Sequence, residues 1–156
     1  MYKFQEDNNG LFTPAEINLI GGIFAHARSD YEFGWRKIQE QGGLDYLKNE
    51  YAKACKVLEK YEKHRSWVKN ENVKIGNYNR GHIDKKKPLP LPQHGEKELH
   101  AKKVIEHYVK TTEMANSVEA FLRSKWFEDL SLMAGLSPEY LRTQFNKIRD
   151  EIISIC

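Results

Sequence analysis

Apolar residues recur three and four positions apart over most of the chain, and the runs end at glycine, proline or asparagine. That spacing predicts amphipathic helices. Thr13-Pro14-Ala15-Glu16 reads as a helix start: Thr13 caps, Pro14 suits the first helical position, and Glu16 completes a capping box. Leu19, Ile20, Ile23, Phe24 and Ala27 then make one apolar face. Gly21-Gly22 inside that face either allows a close helix crossing or breaks the helix, at roughly 1 kcal/mol per Gly relative to Ala. Tyr31, Phe33, Trp35 and Ile38 predict a short second helix, ended by Gly42-Gly43.

The clearest helix is 44–68. Leu44, Leu47, Tyr51, Ala54, Leu58, Tyr61, Arg65 and Val68 alternate three and four apart, a heptad-like stripe with a lapse at Arg65. An amphipathic helix packed within its own domain explains the stripe better than a coiled coil does. Residues 69–95, "KNENVKIGNYNRGHIDKKKPLPLPQHG", lose the period and are rich in Asn, Gly, Lys and Pro. They read as a linker or extended excursion, with polyproline II favoured over "KKKPLPLP" and a short hairpin an option around Gly76-Asn77. This stretch is expected to be the most mobile internal segment. Helix returns near Glu96 and fades by Asn116-Ser117; Ser117 caps a short helix to Arg123, Ser124 the next to Ala134, and Ser137-Pro138 opens the last. The expected fold is all-α: a compact multi-helix domain of six or so helices, with one long Pro/Lys-rich loop and a helix-turn-helix-like C-terminal corner. The expected organisation is a single domain over 1–156, with a helical part 13–68, a flexible basic loop 69–95 and a helical part 96–154.

Length and composition agree with a globular chain. Its 156 residues are 40% hydrophobic, 12% aromatic and 30% charged, with a mean hydropathy of −0.73, enough to bury a core without disulfides. No apolar run approaches the length of a membrane span. The N-terminal "MYKFQEDNNG" lacks a signal core, and Cys55 and Cys156 form no CxxC pair, so a cytoplasmic setting is expected. The net charge of +3 is unevenly placed: residues 1–45 carry −3, 46–68 +3, 69–110 +5 and 111–156 −2. The positive charge lies in the middle.

"SKWFEDLSLMAGLSPEYLRTQ" carries the sharpest local pattern. Ser131, Gly135, Leu136, Ser137 and Leu141 meet the spacing of a helix-turn-helix, with Gly135 suited to the left-handed turn. Trp126 is expected to be buried against the last helix; if the corner reads DNA, Arg142 and Asn146 should face solvent, since Arg and Asn suit base edges. Glu139 at the leading edge and the net negative charge of the segment favour a structural corner over a DNA reader. The same stretch, through Phe121, Arg123, Ser124, Trp126, Phe127, Leu130, Gly135, Leu136, Tyr140, Leu141 and Arg142, resembles the C-terminal tails of small, largely uncharacterised phage and prophage proteins. That resemblance covers about a fifth of the chain and implies a mobile-element origin and DNA-linked work.

The basic middle is the other candidate. Lys56, Lys60 and Lys63, then Arg80, Lys85, Lys86 and Lys87, are placed to follow a phosphate backbone, with Trp67 and Tyr78 available to stack on bases. The competing reading is a solvated helix face followed by a loop. His82, His94, His100 and His107 lack the HExxH spacing and a nearby Cys, and no metal or other cofactor is expected. No nucleophile elbow, phosphate loop or dinucleotide fingerprint is present. The sequence therefore points to a non-enzymatic accessory or regulatory protein that binds nucleic acid. The alternative is a protein-interaction module directed at a host or phage protein. Membrane association is not expected, and the oligomeric state stays open.

Overall fold

A computed structural model describes residues 13–93 and 95–155. The N-terminal "MYKFQEDNNG", His94 and Cys156, each read from sequence above, lie outside the described residues. Among these there are five α-helices and no strand: α1 Pro14–Glu40, α2 Leu44–Gly81, α3 Glu96–Leu122, α4 Lys125–Met133 and α5 Pro138–Ser154. The chain divides into two compact units, one of residues up to Leu44 together with Val109 onward, the other Asp45–Tyr108. No helix is long and apolar enough to cross a membrane among the described residues.

The first unit is built on α1, the C-terminal half of α3, α4 and α5. Thr13 caps α1 as its sequence predicts: its hydroxyl accepts from the Glu16 N–H while the Glu16 carboxylate accepts from the Thr13 N–H. Gly21-Gly22 neither breaks α1 nor makes a close crossing, since a Cβ at either would meet nothing within 4 Å. The expected short second helix is the continuation of α1. The close approach lies at Gly34, where a Cβ would stand 2.7 Å from the Ala115 backbone nitrogen of α3. Tyr31–Glu119, Gly34–Ala115 and Lys37–Lys110 are successive pairs, so α1 and α3 run antiparallel here.

Tyr31 is fully buried, packs edge-on against Phe145 of α5, and donates its hydroxyl proton to the Glu119 carboxylate. Burial, reinforced by that carboxylate, pushes the Tyr31 hydroxyl well above the ordinary phenol range. α3 runs without a break through Asn116-Ser117, where a fade was expected. Its buried Thr111, Ala115, Val118 and Leu122 hold it helical against local propensity.

The second unit is α2 with the chain that returns along it. Here the expected loop is about half as long: α2 continues to Gly81 and no hairpin forms, while residues 82–93 stay outside regular secondary structure as an excursion. The reason lies in the seven-residue register. Arg65, Asn72 and Asn79 follow Leu44, Tyr51 and Leu58 at the same heptad position, so the stripe changes chemistry without losing its period. Each polar member has a partner. Arg65 donates to Glu98 of α3, whose side chain is almost fully buried.

Asn79 donates from Nδ2 to the Lys86 carbonyl at 3.0 Å and accepts from the Lys86 N–H at 2.9 Å. Asn72 does the same with Leu89, at 2.9 and 2.7 Å. Seven residues of helix advance about 10.5 Å, and three residues of polyproline-like chain about 9.3 Å. The two periods match closely enough for both amides to clamp the returning strand. Pro88, Pro90 and Pro92 donate no N–H and favour extension at the residues before them. Leu89, between Pro88 and Pro90, supplies one of the clamped N–H groups, and Lys86, before the first proline, supplies the other.

Loss of the clamp should free the strand and leave the core in place. Asn72→Ala with Asn79→Ala is expected to raise the rate of trypsin cleavage at Lys85–Lys87 by about tenfold, while 44–68 stays resistant; the cleavage sites, read by mass spectrometry of limited digests, check this.

Candidate functional site

The C-terminal corner is built as its residues prescribe. α4 ends in a Schellman motif: the Leu136 N–H reaches the Ser131 carbonyl at 2.8 Å and the Gly135 N–H the Leu132 carbonyl at 3.0 Å, with Gly135 at φ +71°. Ser137 caps α5 through Tyr140 N, followed by Pro138. Ser131 is buried and returns its hydroxyl proton to the Phe127 carbonyl at 2.7 Å.

Two expectations about this corner fail. Arg142 does not face solvent as a reader would. Its Nε donates to the Leu122 carbonyl at 2.8 Å, its Nη2 reaches Glu128 at 3.1 Å, and the guanidinium lies over the Phe127 ring. It ties the end of α3 to α4 and α5. Asn146 is exposed as expected, but its neighbours on that face are Glu139, Thr143, Arg149 and Asp150, and the one cation, Arg149, is paired with Asp150 at 3.2 Å, so the face offers a phosphate little counter-charge.

Trp126 is 56% exposed rather than buried. Phe127, one residue on, takes the core position, fully buried with Phe24 at 5.8 Å and Phe121 at 5.4 Å. A Trp-Phe pair at a helix start leaves open which ring turns inward, and the pattern misassigned it. Trp126 instead closes one end of an open apolar groove of about 880 Å3 between α1 and α3, floored by Ile23, Ala27, Met114 and Val118.

The basic residues of the middle fall together. Residues 45–108 carry fifteen Lys/Arg against nine Asp/Glu, a net +6, so the rest of the chain is −3. With Leu47, Ala54 and Val68 of α2 buried, Lys53, Lys56, Lys60, Lys63, Lys74 and Arg80 fall on the opposite side of the helix, all exposed. Glu59 is a carboxylate on that side and pairs with Lys63 at 2.9 Å. Lys53 and Lys74 have flanking partners in Glu50 and Glu71. Lys56, Lys60, Arg80, Lys85 and Lys87 make no ion pair among the described residues.

At the tip of α2 the Tyr78 ring stacks on His82, with centroids 3.7 Å apart, and Lys86 sits 4.3 Å from the Tyr78 centroid. The clamp thus returns Lys85–Lys87 to the last turns of α2, with Lys86 beside Tyr78 and Asn79. No group of three His, Cys, Asp or Glu that could hold a metal ion occurs among the described residues.

Arg142→Ala should accordingly behave as a structural change. A charged hydrogen bond in a partly exposed setting predicts a loss of about 1–2 kcal/mol in denaturant unfolding, with nucleic-acid affinity within about twofold of wild type, whereas Asn146→Ala should alter neither. Comparison of the chain with protein-family models, with curated proteins and with solved structures gives no match.

Proposed function

We propose that this protein is a non-enzymatic, nucleic-acid-binding accessory protein, and that its binding surface is the outward face of α2 with the Lys85–Lys87 strand. The observation that carries this reading is the one-sided face itself. On it, six cations lie between Lys53 and Arg80 with two exposed carboxylates, Glu59 and Glu62, over a length of about 40 Å on a straight helix. A solvated helix of ordinary composition interleaves its signs; this one holds lysines on the side that no other part of its unit covers. Such a face recognises phosphates by charge, independently of base sequence. The corner at 134–138 then serves as scaffold, with Arg142 occupied inside it. The likeness of the C-terminal tail to phage and prophage proteins supports a role in a mobile element.

Salt tests the reading. Affinity for mixed-sequence DNA or RNA should fall linearly on a log–log plot against salt. Lys56→Gln, Lys60→Gln and Lys63→Gln together should reduce the slope by about 0.7–0.9 for each phosphate no longer neutralised. They should weaken every sequence equally. Affinity that is absent at low salt, or unmoved by the triple change, would sink the proposal.

A second reading, a protein-interaction module, is favoured by one observation: Trp126 stands exposed beside Phe121, at 5.3 Å, at the end of the α1–α3 groove. Exposed aromatics in an apolar groove are typical interface anchors. Binding through that groove would survive high salt and nuclease, and would be lost with Trp126→Ala.

A further inference from the structure

We infer that the nucleic acid held by the α2 face is single-stranded, with Trp67 as the platform on which a base stacks; this rests on the reading of that face as the nucleic-acid surface. One column of α2, seven residues apart, reads Tyr46, Lys53, Lys60, Trp67 and Lys74. Both aromatics in it are 54% exposed. Neither is needed by the packing of its unit, whose buried positions on α2 are Leu47, Ala54 and Val68. The Trp67 ring lies nearly parallel to that of His64, at 13° and 6.1 Å between centroids. Lys63 stands one turn before Trp67, Lys60 two turns before it and Lys74 two turns after it.

An exposed indole flanked along one helix by cations is the pairing that single strands require: charge for the backbone and a π-face for an unstacked base. In a duplex each base face is already covered by its neighbours. A bulky ring on the crest of the helix would there have to wedge a base step open, at a cost of a few kcal/mol, or hold the lysines off the phosphates. A free strand presents its base faces without that cost. The alternation of aromatic and lysine also accepts any base, because every base has a π-face.

The test uses the full chain, an oligothymidylate of about 16 nucleotides, and a mixed-sequence duplex of the same length. Trp67→Ala should weaken oligothymidylate binding about five- to a hundredfold, the range that accompanies removal of one stacked base. Trp67→Phe should keep most of the affinity, and duplex binding should change less than twofold. In Trp126→Phe protein, where Trp67 is the exposed indole, emission should be quenched on adding oligothymidylate. Equal affinity of Trp67→Ala and wild type for the single strand, with salt-dependent binding intact, would overturn the stacking role and leave the basic face standing. Absence of salt-dependent binding to both polymers would overturn the two together. Should Trp67→Ala fail to fold, the quenching of the Trp126→Phe protein decides alone: no quenching at saturation rejects the platform.

Discussion

The second unit depends on the pairing of two side-chain amides with two backbone amides. Asn72 and Asn79 each offer a donor and an acceptor, and Leu89 and Lys86 meet both. In the absence of that match, the last four turns of α2 would present a polar seam to water. Little but Val68 and Ile75 would then hold them. With it, the polar residues of the stripe become the specific contact, and the helix persists to Gly81. The consequence reaches the surface. The same clamp that fixes one side of α2 leaves the opposite side, with its lysines and Trp67, exposed, and it brings Lys86 back over Tyr78 near the end of the helix.

Arg65 plays a related part nearer the middle of the helix. Its partner Glu98 is almost wholly buried, and a carboxylate in that position is costly unless paired. The ion pair therefore fixes α3 to α2 at one register, as a polar heptad residue does in a coiled coil. In the first unit the fixed point is steric. Gly34 lets α1 touch the α3 backbone at Ala115, and Tyr31 locks the approach through Glu119 and Phe145. α4 then enters with Phe127 inward, which turns Trp126 out into the groove.

Much of this is legible in the residues. The capping box at Thr13, the Ser124 and Ser137 caps, the helix end before Gly42-Gly43 and the left-handed turn at Gly135 all form as the chain writes them, because caps and turns depend on neighbours in sequence. The helical class follows from periodicity alone. The errors fall where a distant partner decides. Residues 69–81 resemble a loop because Asn, Gly and Lys crowd there without an apolar stripe, yet the heptad count through Arg65, Asn72 and Asn79 runs on unbroken. A downstream strand rich in proline and poor in donors is the signal that those asparagines have a partner. Asn116-Ser117 resembles an ending because its buried neighbours on α3 meet helices far away in sequence. The choice between Trp126 and Phe127 requires the packing itself. Of the candidate binding residues, the lysines of α2 and the returning strand fall together, while Arg142 is drawn into the scaffold by Leu122 and Glu128, which no local pattern announces.

Amide hydrogen exchange in the folded protein addresses the clamp directly. The Lys86 and Leu89 N–H groups lie in a segment with no regular secondary structure, where exchange is ordinarily fast. Both are expected to exchange at least about tenfold more slowly than in an unstructured chain. Lys87 between them should exchange near the unstructured rate, since the clamp bonds only Lys86 and Leu89. Protection along α2 should extend as far as Asn79. Fast exchange at both Lys86 and Leu89, with α2 unprotected beyond about Val68, would contradict the clamp.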